Sequence, residues 1–308
     1  KEGIPKDILE EAHRKAVEIA SDSMVLLKNE GGFFPLKGDE EVVFAGHFLF
    51  EPQIQGAGSA YVKPAVLSDL TGGLQKAFPK ARLFKAFDKW GYKERDFEKF
   101  CEAARSAEKV ILFLGFLEHW DTEGYDRFDI DLAEGLREIY RAVKSLNPNT
   151  AAVLCGGGVK NIAFLSDAGA ILETFLAGEG YGEALPLILS GKISPSGRLA
   201  ETIPCRLEDT PSYLSMSFDG KEVFYGESIF VGYRYYNAKN IKTLYPFGFG
   251  LSYTHFEYSD LELEAEGRKA VLEFSLENAG AYDAKETVLI FYEKKDSEII
   301  RAGRQLCV

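Results

Sequence analysis

Short apolar runs alternate with segments of helical periodicity, and this alternation constrains the fold more than any other feature of the sequence. The runs "EEVVFAGH", "KVILFLGF", "TAAVLC" and "AILETFL" are separated by amphipathic segments such as "FEKFCEAARSA" and "LAEGLREIYRAVKSLN". A strand buried on both faces is a continuous apolar run, and an intervening helix lets consecutive strands run parallel. Residues 1–210 are therefore predicted to form an α/β domain, with a mostly parallel sheet sandwiched between helices.

Two further segments of this domain are predicted as helices. Residues 5–30 carry apolar side chains at helical spacing, including Ile8, Ala12, Ala16 and Ile19. The segment "VKNIAFLSDAG" precedes the run "AILETFL" and continues the helix-then-strand order. Both segments are expected to cover the sheet.

The pattern changes after about residue 204. Residues 211–255 are rich in Tyr, Phe, Gly and Pro and have no helical periodicity, so we predict an extended connector. From residue 256 to 308, apolar and polar residues alternate, with turn signals at "EAEGRK" and "ENAGAYD". This period of two predicts antiparallel β-structure, with about three strands where a sandwich needs more.

Charge and composition exclude several classes of partner. The net charge of −12 argues against nucleic acid, whose phosphates need clustered Lys and Arg. No apolar run approaches the roughly 18 residues of a membrane span, and "KEGIPKDILEEAHRK" has no signal-peptide character. Four cysteines and four histidines are scattered without metal-ligand spacing, so we predict neither a metal nor a cofactor. These features specify no cellular compartment.

The segment "EHWDTEGYDR" follows the buried run "VILFLGFL" and contains several acids and a glycine. In parallel sheets, functional groups collect where loops leave the carboxyl ends of strands. "GAGSAYVKP" and "GGGVKN" leave other strands of the same predicted sheet. Neither matches a dinucleotide or P-loop pattern, so a nucleotide site is disfavoured.

An ordered set of motifs identifies a family resemblance. "VLLKNEGGFFPL", "GAGSAYVKP", "EGYDRFDIDL", "GEGYGEALPLILSGKISPSGRLAETIP", "YGESIFVGYRYYN" and "YPFGFGLSYTHFEYS" occur in this order along the chain. Together they resemble the non-barrel part of glycoside hydrolase family 3, the β-glucosidase family. The resemblance implies an α/β-sandwich domain, then the start of a fibronectin type III-like domain at residues 256–308. The family's (β/α)8-type barrel, with its nucleophilic aspartate and Lys-His pair, is not found in these residues.

The resemblance also implies a role for Glu123. In the family subgroup with "EGxDR", the glutamate that opens the motif is the general acid/base, and Glu123 occupies that position. Glu118 and Asp121 are the rival acids of the same loop. Gly124 would permit a tight turn that presents the carboxyl group.

The remaining residues of the motif are expected to support the site. Asp126 and Arg127 would form an ion pair that fixes the loop, with contact to sugar hydroxyls as an alternative. Tyr125 completes this supporting group. Trp120 would either stack on a substrate sugar or anchor the loop against the sheet.

The implied function is part of a retaining β-glucosidase acting on terminal β-D-glucosyl residues of glucosides or oligosaccharides. The barrel would be the partner that supplies the nucleophile, from outside this chain. Another β-glycosidase activity of the family, such as β-xylosidase or N-acetyl-β-glucosaminidase, is one alternative. A non-catalytic binding module is the other.

Overall fold

The computed structural model describes residues 3–116, 120–215, 221–267 and 269–307. Its helices are α1 Lys6–Ser23, α2 His47–Phe50, α3 Leu70–Ala77, α4 Phe97–Ser106, α5 Glu134–Leu146, α6 Tyr181–Leu189 and α7 Tyr233–Lys239. Its strands are β1 Val25–Asn29, β2 Val42–Ala45, β3 Arg82–Phe84, β4 Lys109–Gly115, β5 Thr150–Cys155, β6 Ala170–Glu173, β7 Ile203–Pro204, β8 Thr243–Tyr245, β9 Phe256–Glu266, β10 Lys269–Asn278, β11 Phe291–Tyr292 and β12 Gln305–Leu306. None of the helices in these ranges combines the length and apolar character needed to cross a membrane.

The predicted α/β fold class is confirmed. Within the described ranges, six strands form a sheet in the order β1-β6-β5-β4-β2-β3. Neighbouring strands from β6 to β3 run parallel, and β1 pairs antiparallel with β6. The carboxyl ends of β2, β4, β5 and β6 therefore meet at one edge of the sheet.

Strand β4 shows why the central strands are continuous apolar runs. Val110, Leu112 and Leu114 belong to the hydrophobic core on one face of the sheet, where α4 and α5 pack. Ile111 and Phe113 belong to the core on the other face, with α3 and α6. Successive side chains of a strand point to opposite faces, so both sets must be apolar.

The helix predicted over residues 5–30 is wrong from residue 24 onwards. Helix α1 ends at Ser23 and the chain continues as β1. Met24 and Leu26 are completely buried, and Leu26 also forms a β-bridge with Leu251. Partners far along the chain select the strand there, and a local periodicity cannot reveal them.

Two other expectations from the sequence also differ from the structure. The segment "VKNIAFLSDAG" contains only a 3-10 turn, Ala163–Leu165, instead of a helix. The connector, predicted to be extended, contains the short helix α7, which ends with Asn240 in the left-handed conformation. Tyr236 is the buried residue of this helix, so tertiary packing selects it.

Antiparallel strands follow the α/β unit, as the alternating pattern predicts. Strands β9 and β10 form a long hairpin, and β11 pairs with β12. An ion pair between Arg198 and Glu286 joins this region to the α/β unit, and the Lys285 backbone N–H donates to Ser196 Oγ. Side chains on both faces of the hairpin are exposed, and Leu261 and Leu263 are exposed apolar side chains on one face.

His13 joins α1 to the beginning of α6. Its Nδ1 lies 3.1 Å from Glu179 Oε1 and its Nε2 lies 2.9 Å from Glu183 Oε1. Both nitrogens can donate only when the ring is protonated. The hydrogen bonds to Glu183 and Glu179 accordingly raise the pKa of His13 above 6.5, although burial opposes them.

The contribution of His13 to stability should depend on pH. Because its pKa is raised in the folded state, the stabilisation is full below pH 6.5 and is lost as pH rises through the folded-state pKa. Thermal unfolding of wild type and His13→Gln should differ most at mildly acidic pH, by about 1 kcal/mol or less. The control His255→Gln changes a side chain that is 67% exposed, and at mildly acidic pH it should lower the free energy of unfolding less than His13→Gln does. A constant difference for His13→Gln would contradict the assignment.

Candidate active site

Asp121 ties together loops that leave three strands of the sheet. Its Oδ2 accepts a hydrogen bond from Gln53 Nε2 at 2.7 Å and another from the Gly157 N–H at 2.9 Å. Its backbone carbonyl accepts from the Ala57 N–H at 3.0 Å. Gln53 and Ala57 follow β2, Asp121 follows β4 and Gly157 follows β5. The rival acid Asp121 is therefore engaged in holding the loops.

A close backbone approach explains a glycine in the loop after β2. A Cβ added to Gly56 would lie 2.8 Å from the Asp121 carbonyl oxygen, and backbone atoms cannot easily move away. The "GAGSA" segment contains a 3-10 turn, Gly58–Ala60, beyond this contact. The loop is thus packed against the loop after β4.

Glu123 is exposed at this edge of the sheet. Ser59 Oγ donates a hydrogen bond to Glu123 Oε1 at 2.9 Å. The "GAGSA" and "TEGYDR" segments therefore meet at the carboxylate. One oxygen of the side chain is oriented, and the group stays open to an approaching molecule.

The rest of the motif differs partly from expectation. Gly124 lies outside the left-handed region, and an added Cβ would meet no atom within 4 Å, so the local structure does not require glycine there. Tyr125 is 72% exposed. Asp126 is exposed, and no hydrogen bond or ion pair from its carboxylate is found among the described residues.

Arg127 does not form the expected ion pair with Asp126. Its guanidinium carbon lies 4.7 Å from the centre of the Phe116 ring, and its Nη1 donates weakly to the Val159 carbonyl at 3.4 Å. A Cβ added to Gly158 would lie 2.8 Å from Arg127 Nη2. The side chain thus turns towards the sheet, away from the exposed Asp126.

Trp120 packs as an anchor of the same loop. Its ring makes edge-to-face contacts with Phe116 and Trp90, at centroid distances of 5.6 Å and 6.3 Å. The side chain is half-buried. The other rival acid, Glu118, lies outside the described residues.

Sequence reasoning missed a buried ion pair beneath this loop. Lys160 Nζ lies 3.0 Å from Glu173 Oε2, and their side chains are only 1% and 3% exposed. Glu173 Oε1 also accepts the Phe175 N–H at 3.0 Å. Burial raises the pKa of Glu173, and the Lys160 ammonium opposes that effect. The sequence does contain a signal for this pair. One charged residue stands in each of the two largely apolar segments "GGGVKNIAFL" and "AILETFL".

Glu201 is a second acid that the sequence analysis did not single out. Burial raises its pKa, while the positive charges of Lys160 and Arg127 lower it. Its carboxylate has no hydrogen-bond partner among the described residues. The buried Lys160–Glu173 pair and the half-buried Glu201 are thus charged groups near Arg127 and the turn of residues 156–159.

A cleft of about 590 Å³ adjoins the loop on the side of Arg127. Residues 127–131 line one side, and residues 206–208 with Tyr213 line the other. Within the described ranges, no group of three or more His, Cys, Asp or Glu side chains is arranged to hold a metal ion.

Comparison with known proteins identifies the family. The glycosyl hydrolase family 3 C-terminal domain matches residues 24–253. Thermostable beta-glucosidase B of Acetivibrio thermocellus is 34% identical over 303 residues, covering 96% of this chain and 40% of that protein. An exo-alpha-(1->6)-L-arabinopyranosidase of Bifidobacterium longum is 32% identical over 316 residues, with the same two coverages.

A solved structure agrees with this result. The GH3 beta-glucosidase of Bifidobacterium adolescentis superposes with a TM-score of 0.91 and 33% identity, covering 99% of this chain and 45% of that one. The chain belongs to glycoside hydrolase family 3. It spans less than half the length of these relatives.

Removing the Asp121 carboxylate should loosen the loops without touching Glu123. Asp121→Ala leaves the Gln53 amide and the Gly157 N–H without their acceptor, which should cost about 1–3 kcal/mol. Amide hydrogen exchange at Gly157 should accelerate. The control Asp126→Ala removes an exposed acid two residues beyond the "EG" pair and should leave exchange unchanged. Equal exchange in both variants would show that Asp121 does not hold the loops.

Proposed function

We propose that this chain supplies the general acid/base, Glu123, of a retaining β-glucosidase that acts on terminal β-D-glucosyl residues. A barrel domain outside these 308 residues would supply the nucleophilic carboxylate and most of the sugar pocket. The observation that carries the proposal is an exposed, oriented carboxylate at the carboxyl edge of a family 3 sheet. The Gly157 N–H donates to Asp121 of the same loop, and Ser59 Oγ donates to Glu123 itself.

The chemistry follows from two carboxyl groups about 5–5.5 Å apart. In the first step the nucleophile attacks the anomeric carbon, the glycosidic C–O bond breaks, and Glu123 gives its proton to the leaving oxygen. In the second step Glu123 takes a proton from water, whose oxygen attacks the anomeric carbon and displaces the nucleophilic carboxylate. Removing water from a carboxyl group favours its protonated form, which the first step needs.

Exposed apolar side chains around Glu123 support docking of a second domain. Tyr125 and Phe128 are 72% and 88% exposed, and Tyr61 and Val62 are also exposed. Apolar surface concentrated in this way is typical of an interface. A covering barrel would bury these side chains and exclude water from Glu123. The cleft beside residues 127–131 would then accept the leaving group.

We propose the same division of the chain that its patterns indicate. Residues 1–210 would form the domain that carries the acid/base, and residues 211–255 would connect it to the next domain. Residues 256–308 would begin a fibronectin type III-like domain. The antiparallel hairpin of β9 and β10 supports this division.

Replacing Glu123 in the complete enzyme tests the acid/base role. Glu123→Ala should lower turnover by about 100- to 10,000-fold on substrates whose leaving group needs a proton. With an activated aryl glucoside, deglycosylation should become rate-limiting and azide should restore turnover, because azide needs no general base. Glu102→Gln, which replaces an exposed acid on α4, is the control and should remain active. Turnover like that of wild type in Glu123→Ala would refute the assignment.

An α-L-arabinopyranosidase is a second candidate function. The relative from Bifidobacterium longum with that name is nearly as similar to this chain as the β-glucosidase from Acetivibrio thermocellus. The two relatives share the part of the protein that carries Glu123. The sugar pocket of the barrel would therefore decide between the two activities.

A panel of aryl glycosides separates the candidate activities. We expect kcat/KM to be highest for the β-D-glucoside, followed by the α-L-arabinopyranoside, β-D-xyloside and N-acetyl-β-D-glucosaminide. All productive substrates should lose activity together in Glu123→Ala, because they share the acid/base. A different preferred sugar would change the named substrate and leave the role of Glu123 intact.

A further inference from the structure

Lys160 is a buried cation that the proposed chemistry does not use. Its ammonium group lies 3.0 Å from Glu173 Oε2 and donates to the carbonyls of Gly156 and Gly158 at 2.7 Å and 3.1 Å. An ammonium group has three donors, so all are satisfied. Apolar residues of similar volume would fill this space without the desolvation cost of two charges.

The turn that Lys160 holds contacts the acid/base loop on both sides of Glu123. Before Glu123, the Gly157 N–H donates to Asp121 Oδ2 at 2.9 Å. After it, Arg127 Nη1 approaches the Val159 carbonyl at 3.4 Å. A displacement of this turn would therefore move both ends of the segment that carries Glu123.

The ring of Phe116 provides a second connection. The Arg127 guanidinium lies 4.7 Å from the ring centre, and the Lys160 ammonium lies 5.4 Å from it. Gly158 lies so close to Arg127 that even an added Cβ would collide with the guanidinium. The position of Arg127 thus depends on the turn and on the ring that Lys160 also contacts.

We infer that Lys160, paired with Glu173, is a positioning residue for general acid/base catalysis by Glu123. It fixes the turn of residues 156–159, and this turn fixes the loop from Asp121 to Arg127. The inference rests on the proposed function of Glu123. A general acid must lie within hydrogen-bond reach of the glycosidic oxygen, and misplacement by about 1 Å costs about 100-fold in rate.

The test uses the complete enzyme and two variants, Lys160→Met and the double variant Lys160→Met with Glu173→Leu. The single variant leaves a carboxylate buried without its cation, whereas the double variant removes both charges and should fold. For methyl β-glucoside, whose leaving group needs a proton, kcat/KM should fall about 100-fold. For 2,4-dinitrophenyl β-glucoside, whose leaving group does not, it should stay within about threefold.

Lys109 provides a matched control at the opposite end of β4. Its ammonium lies 3.0 Å from Glu40 Oε1 and donates to the Phe33 carbonyl at 2.8 Å. Lys109→Met removes a comparable ion pair far from the candidate site. It should leave the ratio of the two kcat/KM values as in wild type, because lost stability alone affects both substrates equally.

Hydrogen exchange gives a readout that needs no activity. In the double variant, amides from Asp121 to Arg127 should exchange faster than in wild type and in Lys109→Met. A folded double variant with the wild-type ratio of kcat/KM values, or with unchanged exchange, overturns the inference. Failure of the proposed function is distinguishable, because Glu123→Ala would then leave the reaction of both glucosides unchanged.

Discussion

The ion pair between Lys160 and Glu173 is the interaction on which the candidate site depends most. Charges buried this deeply are tolerated only when every donor and acceptor is satisfied, and few arrangements of the surrounding chain achieve that. The turn after β5 and the end of β6 therefore have fixed positions relative to each other. The loop carrying Glu123 contacts this turn. The position of the exposed Glu123 carboxylate is therefore fixed by the buried Lys160–Glu173 pair.

Stability and placement come from different interactions in this molecule. Apolar burial on both faces of the sheet stabilises the α/β unit, but it is non-directional and cannot specify the position of a loop. Directional contacts at the sheet edge do that, chiefly the hydrogen bonds of Asp121. A loop mutation can thus move Glu123 with little effect on the core, and a core mutation can unfold the domain without a specific effect on chemistry.

The sequence predicts the parts of this structure that depend on local pattern. The central strands and the position of Glu123 at a strand exit follow from apolar runs and from the "EGYDR" motif. Strand β1 and helix α7 do not, because distant partners select them. The pairing of Lys160 with Glu173 joins residues 13 apart in two segments that both look apolar, and an orientation such as that of Arg127 depends on packing. Family resemblance thus identified the candidate acid, while only the structure identified what holds it.

Strand β1 has a consequence for biosynthesis. Among the six strands of its sheet β1 comes first along the chain, yet it pairs with β6, almost 150 residues later, and the Leu251 N–H donates to its Leu26 carbonyl at 2.8 Å. During translation the strand must wait for both partners with its backbone groups unpaired, and such an edge recruits other strands. Between the synthesis of residue 29 and that of residue 251, the chain therefore carries an unpaired strand edge that other strands can bind.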